Sequence, residues 1–365
     1  MTLILLTVLV LGSAAAFILC PKQMYSASER RRLAGMPKLS ANSLLDGSYT
    51  GKLETYLLDH FPLRETYRGM KANFAVTVLQ QKENNGIYIA QGHASKLEYP
   101  LNETGVERTV QMVRSLKETY FSDNRVFYTV IPDKNYFLAA ENGYPHMDYE
   151  KLSALLSDGL DREADYIDIA PALTIDSYYR TDAHWRQECI GGVAERLLVG
   201  MGGERTEFDI ASYEQHKIEN FNGVYRGQAA LPFPAEEIVY LTNETTDNAQ
   251  VYDVESNSIK AVYQTELLLD EKSLDAYDIY LGGARAVLVI KNVFGGGDGR
   301  RLIVFRDSFG SSLAPLLLEQ YDEVVLVDLR YISASLIDRY VEFENADILF
   351  AYNTLIWNNG SILKK

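Results

Sequence analysis

Six short runs of almost uninterrupted apolar residues punctuate the chain: VFYTVIP at 126–132, YIDIA at 166–170, AVLVI at 286–290, LIVF at 302–305, VVLV at 324–327 and DILFAY at 347–352. A strand that is apolar on both faces has to be covered on both, and an alternating chain does this by laying helices over a parallel sheet. The segments 103–120, 149–160, the one starting at Phe309 and 332–345 read as those helices. The expectation is an α/β fold: a largely parallel sheet with flanking helices. From about 202 to 280 the rhythm gives way to Gly, Pro, Asn and Thr clusters with short β-prone runs, which reads as a β-rich insertion. Gly295 to Gly299 looks like a phosphate loop only superficially. No Lys-Ser or Lys-Thr follows it and it joins two strand candidates, so it reads as a turn. Upstream, Leu53, Tyr56, Leu57 and Phe61 recur at helical spacing until Pro62 interrupts them, predicting two helices between 44 and 81. GIYIAQGHASKLEYP, with Gln91-Gly92 at its centre, predicts a hairpin. The folded body is expected to span 44–365.

Residues 2–20 are uncharged and mostly apolar, about the length that crosses a bilayer as a helix, and read as an export signal or membrane anchor. Residues 21–43 read as a tether. Lys22, Arg30, Arg31 and Arg32 follow the apolar segment, which by the positive-inside rule favours a cytoplasmic body; long domains, however, translocate largely regardless of charge. The expectation is a membrane-held body outside the cytoplasm, or a secreted one if the segment is cleaved. Fifty acidic residues against 35 basic ones give a net charge of −15, the wrong sign for a nucleic-acid surface. Cys20 and Cys189 cannot build a disulfide framework, and no Cys/His spacing suggests zinc, so no metal or other cofactor is expected.

Two segments carry candidate chemistry. In Leu302-Ile-Val-Phe-Arg-Asp-Ser308-Phe-Gly-Ser, a buried strand ends in Asp-Ser where a helix begins. That places a hydroxyl at the carboxyl end of the sheet, beside helix-start amides able to hold an oxyanion. The competing reading is that Asp307 or Ser308 merely caps the helix. In Tyr179-Arg-Thr-Asp182-Ala-His184-Trp185, an Asp-x-His unit offers a base and the carboxylate that fixes its tautomer. Its competing reading is a surface histidine beside a core tryptophan. Taken together, the pair supplies a nucleophile, a base and an orienter: Ser308, His184 and Asp182. Trp185, Gly310, Arg330 and Asn353 are candidates for binding substrate or an oxyanion, with solvated-arginine and turn-asparagine readings open for the last two.

The Thr-Asp-x-His-Trp block, followed more than a hundred residues later by a strand ending in Asp-Ser-Phe, resembles the DHHW proteins and the alginate acetylation proteins AlgJ and AlgX. The resemblance runs from about residue 44 to 355. Asp59-His-Phe-Pro-Leu-Arg64 is similar to their early Asp-x-Phe-Pro-x-Arg segment, Asn85-Gly-Ile-Tyr-Ile with Gly92 to their glycine-rich hairpin, and Phe221-Asn-Gly-Val-Tyr to the loop before their serine strand. Ala183 stands where the family name implies a second histidine, which touches no member of the triad. The resemblance implies an SGNH-hydrolase-like, circularly permuted domain that forms an acetyl-serine intermediate on an exported polysaccharide. It also implies an MBOAT-type membrane acyltransferase as donor, with Ser308 as nucleophile, His184 as general base and Asp182 as its orienter. Transferase and esterase remain equally open, because water and sugar hydroxyls attack the same acyl-serine. The alternative is a non-catalytic glycan-binding or scaffold protein on the same fold.

Overall fold

The computed structural model describes the chain apart from residues 204–208, 270–274 and 296–298 and the side chains of residues 2–6 and 8–10. Two compact units are present, one made of residues 1–89 with 224–234, the other of 90–223 with 235–365.

In the first unit, Thr2–Leu19 is helical. Among the described residues no helix is long and apolar enough to cross a membrane; the expected anchor at 2–20 falls partly on side chains outside them. The stretch read as a tether is not bare linker. Tyr25–Ser26 pairs antiparallel with Arg31–Arg32, and both Arg31 and the amide of Ala34 donate to Asp59. The hydrogen bond from Arg31, more than the burial opposing it, holds the Asp59 carboxyl down to about 2. A helix Ser48–Asp59 stops before Pro62 and another, Arg64–Asn73, resumes after it, as the proline dictates. At the start of the second unit, Gln91 and Gly92 of the predicted hairpin both have positive φ and lead into the strand His93–Lys96, the geometry of a two-residue primed turn.

The second unit is built on an eight-stranded sheet. Its strands are β1 (Val126–Ile131), β2 (Asp165–Tyr166), β3 (Gln250–Asp253), β4 (Ser258–Lys260), β5 (Val287–Lys291), β6 (Arg301–Arg306), β7 (Glu323–Val327) and β8 (Ala346–Asn353), in the order β4-β3-β5-β7-β6-β8-β1-β2. The five strands from β7 to β2 are parallel. On the other side β5 runs antiparallel to β7, and β3 and β4 continue from it. The insertion therefore supplies the last two strands at one side of the main sheet besides a separate antiparallel pair, Glu214–Phe221 with Glu236–Thr242. Its residues 204–208 and 270–274, like 296–298 of the glycine-rich turn, lie outside the described residues.

Strand alternation sorts the side chains into two cores. Leu302 and Val304 of β6, Val324 and Leu326 of β7, and Leu349 and Ala351 of β8 face one layer; Ile303, Phe305, Val325, Val327, Ile348 and Phe350 face the other. Helices α1 (Glu103–Tyr120) and α2 (Tyr149–Leu160) cover the second core through Val106, Val110, Val113, Leu152 and Leu156. Helices α3 (Gly191–Gly200) and α4 (Phe309–Leu317) cover the first through Val193, Leu197, Leu313 and Leu316. Two expected elements differ. YIDIA is a strand only to Tyr166, because Thr129 Oγ1 then donates to the Ile167 carbonyl in place of a ladder amide. The helix expected at 332–345 is reduced to a 3-10 segment, Ala334–Arg339.

Candidate active site

The carboxyl edge of the parallel strands is where β6 ends and α4 begins. Ser308 sits at that junction with helical φ and ψ and makes no capping hydrogen bond. The capping work falls to Asp307, whose carboxylate accepts from the Phe309 amide at 2.9 Å and the Asn353 amide at 2.8 Å. Burial pushes the Asp307 carboxyl up, against the pull of Arg330 and these two amides. The capping reading therefore holds for Asp307, and the Ser308 hydroxyl is left for other work. The turn is tight: a Cβ on Gly310 would come within 2.7 Å of the Arg306 Cβ.

His184 Nε2 lies 2.7 Å from Ser308 Oγ, and its Nδ1 lies 2.7 Å from Asp182 Oδ1. A fully buried carboxylate facing Nδ1 selects the tautomer with its proton there, so Nε2 is the acceptor for the serine hydroxyl. The three sequence-derived residues are thus brought into one hydrogen-bonded chain, in the order that a nucleophile, a base and its orienter would need. Tyr277 stacks on the His184 ring at 3.9 Å and 10°, which fixes the plane of the imidazole. Of the amides at the α4 turn, Phe309 N–H serves Asp307 and Gly310 N–H serves the Asp307 carbonyl. The Ser308 N–H has no acceptor among the described residues and is the amide open to a developing oxyanion.

The Asp-x-His segment folds back on itself, with Tyr178 bridging to Trp185 and the Tyr179 amide donating to the His184 carbonyl. Side chains far away in sequence hold this loop. Glu236 accepts from the amides of Arg180 (2.6 Å) and Thr181 (2.8 Å) and from the Thr181 hydroxyl (2.6 Å). Lys134, fully buried, donates to the carbonyls of Ala94, Tyr179 (2.8 Å), Arg180 (3.1 Å) and Asp182 (3.1 Å). Burial pushes its ammonium down to about 7, while Asp182 and Glu236 pull the other way. On α4, Ser312 lies one turn beyond Ser308, accepts from the Trp185 indole N–H at 2.8 Å and shares a hydrogen bond with the Tyr277 hydroxyl at 2.7 Å. None of Lys134, Tyr277, Ser312 and Glu236 stood out in the sequence, since each acts through contacts that no local pattern encodes.

The secondary candidates fare differently. Trp185 is buried and tied to Ser312, with its ring edge-on to Phe309, so it supports the histidine loop from beneath and offers no face to a substrate. Gly310 is needed for close packing, and its amide is taken by the turn. Arg330 is bound to Asp328 through Nε (2.9 Å) and one terminal nitrogen (2.7 Å), a structural ion pair. Asn353 caps the short helix Thr354–Asn358 through Oδ1, and its amide anchors Asp307. The Phe221-Asn-Gly-Val-Tyr segment gains a physical role, since the Gly223 amide donates to Thr181 Oγ1 and a Cβ there would lie 2.2 Å from the Thr181 carbonyl atoms. Gly223→Ala should displace the loop carrying Asp182, costing about 1–3 kcal/mol and, by moving the relay, about ten-fold in turnover. Denaturant titration and aryl-acetate kinetics on one preparation test both.

No family model and no curated protein sequence matches the chain. Solved structures do. A DHHW family protein from Eubacterium siraeum superposes with a TM-score of 0.60 at 19% identity, over 77% of this chain and 94% of that one. Bacillus cereus PatB1, solved with a sulfonyl adduct, superposes with a TM-score of 0.57 at 17% identity, over 76% of this chain and all of that one. The O-acetyltransferase domain of Pseudomonas putida AlgJ superposes more weakly, with a TM-score of 0.43 at 10% identity. This chain therefore shares the α/β fold of the DHHW family protein and of PatB1.

Proposed function

We propose that this protein is a serine-dependent O-acetyltransferase or acetylesterase acting on a cell-surface or exported polysaccharide. The observation that carries the reading is the continuous relay from Asp182 through His184 to Ser308, with 2.7 Å at each link. Ser308 Oγ attacks the acetyl carbonyl as His184 Nε2 takes its proton; Asp182 stabilises the imidazolium, and the Ser308 amide faces the oxyanion. Collapse of the tetrahedral adduct passes that proton to the leaving oxygen and leaves acetyl-Ser308. A sugar hydroxyl, or water, then attacks the acetyl group with His184 again as base, and the serine is regenerated. PatB1, of the same fold, was solved with a sulfonyl adduct, and sulfonyl reagents capture nucleophilic side chains, an activated serine among them. The test is mass spectrometry after a pulse of 4-nitrophenyl acetate: an acetyl group on the Ser308 peptide supports the reading, while folded protein that never acquires one points to the glycan-binding scaffold instead.

In this reading the body works outside the cytoplasmic membrane, delivered or held by the apolar segment 2–20, and receives acetyl groups from an MBOAT-type membrane acyltransferase. The support is the uncharged helix Thr2–Leu19. Protease added to intact cells is expected to digest residues 44–365; full protection until the membrane is opened would reverse the orientation.

A further inference from the structure

Beside the catalytic turn, the same carboxyl edge of the sheet carries a cleft of about 440 Å³ that the relay does not use. Tyr136, Tyr149 and Tyr166 line it, together with Glu150, Asp168 and Thr354. Its position follows from the strand register. Asn353, whose amide is bound by Asp307, lies opposite Ile131 at the end of β1, and the next residue, Thr354, is in the cleft wall. With strands about 4.8 Å apart, the ends of β1 and β2 lie about 10 and about 14 Å from the end of β6, within reach of a chain whose reacting sugar sits at Ser308.

The walls are stiff and their chemistry is specific. The Tyr149 hydroxyl donates to Asp133 at 2.8 Å, and Asp133 in turn accepts from Thr354 at 2.6 Å. Tyr136 stands edge-on to Tyr149 at 5.2 Å, and Tyr166 packs on Tyr128 at 5.0 Å. Tyr136 and Tyr166 nonetheless keep 46% and 45% of their surface exposed. Fixed, half-exposed aromatic faces suit the apolar C–H faces of pyranose rings, because little side-chain entropy is lost on contact. Glu150 and Asp168 are exposed acceptors for sugar hydroxyls, and no Lys or Arg lines the cleft. A carboxylate-bearing chain would meet two like charges on a protein of net charge −15.

We infer that this cleft is the acceptor subsite, that it holds a glycan segment flanking the acetylated sugar, and that it admits uncharged or amino-sugar chains and rejects polyanionic ones. The inference rests on the acetyl-transfer reading for its direction, and the experiment separates the two. Full-length Ser308→Ala protein is titrated by calorimetry with three oligosaccharides of equal length: N-acetylglucosamine, glucosamine and mannuronate oligomers. The first two are expected to bind, and the third at least about ten-fold more weakly, a difference of about 1.4 kcal/mol. Tyr136→Ala and Tyr166→Ala, introduced singly, should each weaken the neutral oligomer about ten-fold. Asp168→Asn with Glu150→Gln should raise mannuronate affinity. Failure of all three oligomers to bind, equal or tighter binding of mannuronate, or tyrosine variants that bind as the parent does would each overturn the assignment. Acetyl-Ser308 formation with unaltered glycan binding in the tyrosine variants removes the cleft and keeps the catalytic reading. Tyrosine-dependent binding without acetyl-Ser308 does the reverse.

Discussion

Ser308→Ala is expected to lower turnover of 4-nitrophenyl acetate by at least about 10³-fold, with the fold and the denaturation midpoint preserved. The hydroxyl makes no cap, so its removal takes nothing from α4, and its one side-chain partner among the described residues is the His184 ring. His184→Ala should do nearly the same damage, because a serine hydroxyl without a base is a weak nucleophile. The double variant should be no worse than either single one, since the two act as a unit. Asp182→Ala should cost less, as it orients and stabilises the imidazolium without exchanging the proton itself. Full turnover in Ser308→Ala would mean that another nucleophile acts, and the relay would revert to a structural network.

The candidate triad is legible because its parts lie at element ends that the sequence marks clearly. An apolar run ending in Asp-Ser announces a strand-to-helix turn, and Asp-x-His places carboxylate and ring in one loop whatever the wider fold. The sequence could not decide which of Asp307 and Ser308 caps the helix; that depends on β8 presenting the Asn353 amide to Asp307. The helix expected at 332–345 failed because its buried residues, Ile332, Ile337, Val341 and Phe343, do not share one helical face, while Leu336 points outward. The apolar content was right and the period was wrong. The sheet strands from the insertion were hidden for another reason: β3 and β4 are short and gain their pairing only from β5 and each other. Lys134 was the least visible of all. A lysine after Pro-Asp at a helix start looks solvated, and only the tertiary fold surrounds it with backbone carbonyls.

That burial gives Lys134→Met the second large expected effect. Methionine fills the volume of the lysine stem but leaves the carbonyls of Ala94, Tyr179, Arg180 and Asp182 without their shared donor. A buried acceptor left unmade costs about 1–3 kcal/mol. Relief from burying an ammonium offsets part of the sum, so a net loss of about 2–4 kcal/mol is expected. Because the freed loop carries both Asp182 and His184, turnover should fall about 10–100-fold, the effect of a relay displaced by about an ångström. Arg at this position should not rescue it, since a planar guanidinium cannot converge on carbonyls arranged around a point charge. The pH dependence gives an independent check. The folded ammonium sits at about 7, below its usual value of 10.5, so between these limits the unfolded chain binds the extra proton. Stability of the wild type should therefore rise with pH across that window and fall as pH drops from about 10 to about 7. Lys134→Met should lack this contribution. Urea titrations at several pH values measure the slope, and a variant with the wild-type slope and wild-type turnover would place the Asp182 loop under some other control.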